Sequence, residues 1–163
     1  MTASAAIRPA AAEDQDAVGA LINGIQRGEF AIDITLADQP DLADISGFYR
    51  KGAGDFWIAD AGGEIAGTIA LIDIGGGLGA LRKMFVAPAF RGREHGIAKK
   101  LLDVLLDHAR ARGLAAVYLG TTAKFLAAHR FYEKNGFDLI DEADLPAGFP
   151  RMAVDTRFYR ITL

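Results

Sequence analysis

Between Leu81 and Arg112 an apolar run breaks at a basic, glycine-bearing loop and resumes as a helical pattern. The run Leu81-Arg82-Lys83-Met84-Phe85-Val86-Ala87-Pro88 reads as a strand, and Ala89 to His95 as a loop with Arg91, Gly92 and Arg93. From Gly96 onward, Ile97, Ala98, Leu101, Leu102, Leu105, Leu106 and Ala109 recur at helical spacing, and Gly113 stands where a helix-ending left-handed residue belongs. This strand, loop and helix order puts unpaired amide N–H groups and the positive end of a helix macrodipole at the loop, so an anion is the natural ligand there. Gly92 and Gly96 let the backbone approach such an anion, and Arg91 and Arg93 add charge.

Arg93-Glu94-His95-Gly96-Ile97-Ala98 resembles the Arg/Gln-x-x-Gly-x-Gly/Ala pattern of the GCN5-related N-acetyltransferase (GNAT) superfamily. Downstream, Ala128-His129-Arg130-Phe131-Tyr132-Glu133-Lys134-Asn135-Gly136-Phe137 is similar to that family's Ala-x-x-x-Tyr-Glu-Lys-x-Gly-Phe segment. The resemblance implies that residues 91–98 bind the pyrophosphate of acetyl-coenzyme A. It further implies that pantetheine lies along Met84-Phe85-Val86, and that Thr121, Lys124, Ala128 and Phe131 contact the coenzyme. Two departures are visible: two extra residues separate Gly92 from Gly96, and Phe125 stands where relatives commonly carry an asparagine on the coenzyme.

Length suits one domain, residues 1–163, with one substantial core. The absence of cysteine excludes disulfides, thiolate metal sites and a cysteine nucleophile. No His-Glu-x-x-His or acidic cage appears, so no metal is expected. Without an apolar run of membrane length or a signal-like start, a cytoplasmic protein without membrane partners is expected. The net charge of -3 argues against a nucleic-acid partner. Its distribution is uneven: residues 1–64 hold eleven acids against four bases, and residues 82–100 hold six bases against Glu94. The basic stretch, Arg82 and Lys83 included, suits a polyanion such as coenzyme A. The acidic excess suits a cationic acceptor, and solvated helix faces explain it equally well.

Along the chain, Ile7-Arg8-Pro9 begins a short strand closed by a proline that an inner strand would not tolerate. A helix follows with Val18, Leu21, Ile22 and Ile25 on one face, ending near Gly28; a second is expected over Pro40 to Lys51. Three antiparallel strands (56–59, 65–73 and 80–86) are separated by Gly62-Gly63 and Gly75-Gly76-Gly77. After the long helix, Leu114 to Leu119 is a strand returned by a helical crossover and so parallel to the 80s strand. Thr121 or Thr122 is the expected N-cap of the next helix, and His129 is expected on its exposed face. Strands follow at 137–140 and 152–163, with an irregular loop between.

The expected fold is α/β of the α+β type: a mixed, largely antiparallel sheet, splayed between two parallel central strands, with helices on both faces. The resemblance implies that the thioester lies in that splay and that Tyr132 sits beside the coenzyme sulfur. A tyrosine of ordinary pKa near 10 is protonated at neutral pH and can donate to a departing thiolate. The function implied is acetyl transfer to a primary amine, on a small molecule or a peptide, by direct attack. Strand amides near Phe85 and Val86 would face the thioester oxygen. Asp73, Glu29, His95 or water are the candidate bases, and Glu29 and Asp33 could face the amine. A coenzyme-binding sensor without turnover is the alternative on the same fold; a nucleotide-binding use of the Gly92 to Gly96 loop is a third reading. A homodimer is a state common among similar proteins.

Overall fold

The structure is a computed structural model and describes residues 5–92, 96–123, 125–152 and 155–163. Seven strands among the described residues form one sheet: β1 (Ala6–Pro9), β2 (Asp55–Ala61), β3 (Glu64–Gly75), β4 (Leu78–Val86), β5 (Ala116–Thr121), β6 (Asp138–Ile140) and β7 (Arg157–Thr162). Their order is β1-β2-β3-β4-β5-β7-β6, with β4 and β5 parallel and the other neighbours antiparallel. Among the described residues four α-helices accompany it: α1 (Gln15–Gly24), α2 (Ile45–Tyr49), α3 (Ile97–Ala111) and α4 (Leu126–Lys134).

The two hairpins form where their glycines stand, because left-handed backbone is needed there. Gly62 and Gly63 have φ of 67° and 95°, and Gly75, Gly76 and Gly77 have 84°, 65° and 76°. Pro9 falls on the edge strand, where its missing N–H leaves no ladder bond unmade inside the sheet.

Alternation along the strands then divides the core into two layers. Phe56, Ile58 and Ala70 face α1 and α2, packing with Val18, Ile22, Ile45 and Tyr49. Trp57, Ala59, Ile69 and Leu71 face α3, whose Ile97, Leu101, Leu102, Leu105 and Ala109 are buried on one stripe. Tyr132 of α4 joins this second layer with Phe137 and Tyr159.

The helix expected over Pro40 to Lys51 is broken. A 3₁₀ turn covers Pro40–Leu42, and α2 starts afresh after Asp44, whose carboxylate accepts the Gly47 N–H at 3.0 Å. An aspartate that bonds a nearby backbone N–H competes with a continuing helix and favours a new N-terminus. No helix among the described residues is long and apolar enough to cross a membrane.

Candidate active site

The β4–β5 ladder holds for three pairs, Leu78 with Ala116, Gly79 with Val117 and Ala80 with Tyr118, and then stops. Leu81 to Val86 on one side and Gly120 and Thr121 on the other line a cleft of about 860 Å³. Along this stretch β4 stays paired to β3, so its free edge faces the gap. Ala87 donates its N–H to Ala66 of β3 at 2.8 Å, and successive strand amides point to opposite edges. The Val86 amide and carbonyl therefore face the gap, and of the two residues named from sequence Val86 is the one that offers an N–H there. An open strand edge of this kind fits a ligand with its own amide groups, as pantetheine has.

A bulge bends β4 as it opens. Arg82 pairs with Ala70 and Phe85 with Thr68, so Lys83 and Met84 together oppose Ile69. Lys83 takes φ of 54°, unusual for a residue with a side chain, and the Thr68 hydroxyl donates to its carbonyl at 2.7 Å. Nothing in the sequence marks this, because no glycine occupies the position.

Past β4, Gly92 and Gly96 have φ of 114° and 62°, and Gly96 is the N-cap from which α3 departs. Gly92, Gly96, Ile97 and Ala98 line the cleft, so the amides of the first turn of α3 open onto it. Arg93, Glu94, His95 and Lys124, all named as coenzyme contacts, lie outside the described residues. Arg91 also lines the cleft, but its charge is shared: Nη1 and Nη2 both donate to the Glu29 carboxylate, and Nε donates to the Val86 carbonyl at 2.9 Å. That contact holds Glu29 well below the ordinary carboxylate range. Glu29 is thus an ion-pair partner and not an unpaired base, and Asp33, fully exposed, does not line the cleft.

Tyr132 meets the cleft from α4. Its ring packs against Phe137, Tyr159 and Phe131 at centroid distances of 5.5, 5.8 and 5.9 Å. Its hydroxyl has no hydrogen-bond partner among the described residues, while no fully enclosed side-chain polar atom among them lacks one. The oxygen therefore opens onto the cleft. Burial raises its pKa, which keeps it protonated far above neutral pH. Ala128, Phe131 and Thr121 share the wall. Phe125 stands edge-on to Phe30 at 4.6 Å and to Phe85 at 6.1 Å, so an apolar contact between three segments occupies the place of the polar residue common in similar chains.

Several expectations are corrected. No threonine caps α4: Thr121 ends β5, and the helix starts after Phe125 without a side-chain cap. His129 is buried, not exposed, with its ring nitrogen 2.9 Å from the Thr122 carbonyl. Asp73 is no base for the cleft; it closes the β3–β4 hairpin, accepting the Ala53 and Gly75 N–H groups at 2.9 Å each, and those bonds lower its pKa. Arg82 and Lys83 line the same cleft as Arg91, but Arg82 bonds Met152 and Lys83 meets Gln39 and Asp41.

Those two cations are the part of the site that the sequence reading missed. Lys83, its side chain 6% exposed, bonds the Gln39 amide oxygen and lies 3.8 Å from Asp41, which also accepts the Tyr49 hydroxyl at 2.5 Å. Burial pulls Lys83 down to about 8 against the opposing pull of Asp41, with Arg82 lowering it further. Gln39 exchanges amide hydrogen bonds with Gln26, which lines the cleft. Asp155, also buried on the cleft wall, has its pKa raised by desolvation, partly offset by the Met152 N–H and by Arg82. The signal available was a charge pair inside an apolar strand, Leu81-Arg82-Lys83-Met84-Phe85.

Comparison with known proteins accords with this geometry. The model of the acetyltransferase (GNAT) family matches residues 23–137. N-acetylaspartate synthetase of Danio rerio is 37% identical over 126 residues, covering 74% of this chain and 44% of its own, so this chain spans less than half of that relative. A GNAT-family acetyltransferase structure from Staphylococcus aureus Mu50 superposes with a TM-score of 0.94 at 38% identity, over 98% of this chain and 99% of that one. N-acetylglutamate synthase of Neisseria gonorrhoeae, solved with coenzyme A and N-acetylglutamate, shares the fold at a TM-score of 0.75 and 18% identity, over all of this chain and 36% of that one. With the family model spanning most of the chain and relatives of more than 30% identity over two thirds of it or more, the chain belongs to the GNAT acetyltransferase family.

Proposed function

We propose that the protein transfers an acetyl group from acetyl-coenzyme A to a primary amine on a small molecule, by direct attack and with Tyr132 as proton donor. The observation that carries this reading is the Tyr132 hydroxyl, without a hydrogen-bond partner among the described residues, in the wall of a cleft that also exposes a strand edge and a helix N-terminus. Acetyl-coenzyme A supplies the acetyl group as a thioester. The Val86 N–H and C=O align the donor along β4, and the first amides of α3 with Gly92 and Gly96 hold its phosphates. Tyr132 donates a hydrogen bond to the sulfur as negative charge builds there. Its raised pKa keeps the phenol intact at neutral pH, and the proton that the amine loses on forming the C–N bond balances the one the thiol gains. The absence of cysteine supports direct attack over a cysteine acyl-enzyme. Names of relatives that refer to N-acetylaspartate and N-acetylglutamate support a small amine as acceptor.

The test is release of free thiol from acetyl-coenzyme A on mixing with a panel of amino acids, polyamines, aminoglycosides and peptides, alongside calorimetric titration with coenzyme A. Binding with amine-dependent thiol release is expected. Binding without release for any amine would leave the sensor alternative in its place.

A further inference from the structure

Arg82 has five N–H donors and, among the described residues, one hydrogen-bond partner, the Met152 sulfur at 3.3 Å from Nη2. It makes no ion pair with any described residue, although it is half-buried and lines the cleft. A thioether is a weak acceptor, so this half-buried guanidinium is left with most of its hydrogen-bonding capacity open to the cavity. Lys83 stands next to it and is already matched by Asp41 and Gln39; Asp155 lies close enough to feel Arg82 without pairing to it.

The phosphates of a coenzyme do not account for this cation. They belong at Gly92 to Gly96, beyond the end of β4, whereas Arg82 precedes Val86 by four residues, roughly 10–13 Å along the strand. The segment that carries Gln26 and Phe30 and the stretch around Phe149 and Met152 enclose the same cavity, so whatever lies there is held between them. Of the acids that made a cationic acceptor attractive from sequence, Glu29 is bound to Arg91, Asp33 is in solvent, and Asp41 is taken up by Lys83 and Tyr49.

We propose that the acceptor is an amine that also bears a carboxylate, as an α-amino acid does, and that Arg82 receives that carboxylate through paired N–H donors. The planar fork of a guanidinium matches two carboxylate oxygens, a geometry that an ammonium or a neutral amide does not reproduce. The proposal rests on the N-acetyltransferase reading for the word acceptor, but the binding site itself does not depend on turnover.

Binding is therefore measured apart from catalysis. N-acetyl derivatives of a panel of α-amino acids, each paired with its carboxamide, are titrated by calorimetry into the protein saturated with coenzyme A. Wild type is expected to bind at least one free acid about 10- to 100-fold more tightly than its amide. Arg82→Gln is expected to bring the acid-to-amide ratio close to one, and Arg82→Lys, which keeps the charge and loses the fork, to leave an intermediate ratio. Equal binding of acid and amide by wild type, no binding of any acid, or an unchanged ratio in a folded Arg82→Gln protein would each overturn the proposal. Thiol release with the parent amino acids is the second arm: acid-selective binding with no thiol release would remove the transferase reading and leave the carboxylate site standing.

Discussion

At Tyr132 the packing and the chemistry reside in different atoms of one side chain. The ring is held by Phe137, Tyr159 and Phe131, and the oxygen has no partner among the described residues. Tyr132→Phe therefore keeps the packing and removes only the donor. Coenzyme affinity and melting temperature are expected to stay near wild type while kcat falls about a hundred- to ten-thousandfold, the usual range for a general acid. Steady-state kinetics with the best amine, coenzyme titration and a thermal melt check this. A variant that keeps wild-type kcat would make the tyrosine a structural residue. Tyr132 was legible because it sits in a dense local motif. Arg82 and Lys83 were visible as charges, but their burial is not a local property: it comes from Gln39 and Asp41, some forty residues earlier, and Met152, seventy later. The Arg91–Glu29 pair, 62 residues apart, escaped for the same reason.

Among the elements, the loop between β4 and α3 carries the clearest division between backbone and side-chain demand. Gly96 has φ of 62°, and its α-carbon stands where the first amides of α3 open onto the cleft. Gly96→Val introduces a β-branched side chain in left-handed backbone, at a cost of about 1–2 kcal/mol, which for a chain of this length lowers the melting temperature by about 2–4 °C per kcal/mol. The same side chain stands where a phosphate would approach. Coenzyme affinity is expected to fall at least about tenfold, beyond what so small a loss of stability explains, because the helix N-terminus no longer reaches the anion. Calorimetry on the folded variant showing wild-type affinity would remove the loop from the coenzyme site. This helix was readable from its period and from Gly96 and Gly113. The second helix was not, because Asp44 restarts the chain over Pro40 to Lys51, and its effect depends on where one carboxylate points.

For the molecule as a whole, the sheet was legible where local turns dictate it and opaque where pairing is long-range. The glycine turns fixed β2, β3 and β4 in sequence, and the helical crossover implied the parallel β4–β5 pair. The insertion of β7 between β5 and β6 depends on register between distant segments and leaves no local mark. Burial of charge beneath this sheet gives the stability an unusual dependence on pH. Lys83, with an ordinary value of 10.5, is held at about 8 in the folded chain mainly by desolvation. Between those values the unfolded chain binds more protons than the folded one, so stability rises with pH from about 8 to 10.5, by roughly 3 kcal/mol if the whole shift is expressed. Tyr49 and Tyr132 oppose this at the upper end: burial raises both, so the folded chain keeps protons that the unfolded one loses above about 10, and stability falls again. A maximum near pH 10 is expected, displaced upward from the neutral region where most proteins are most stable. Lys83→Met removes the titrating group, so the rise between pH 8 and 10 should vanish even where the loss of its contact with Asp41 lowers stability overall. Urea denaturation of both proteins at half-unit steps from pH 7 to 11 measures this directly, and parallel curves for the two would show that Lys83 titrates in the folded chain as it does in the unfolded one.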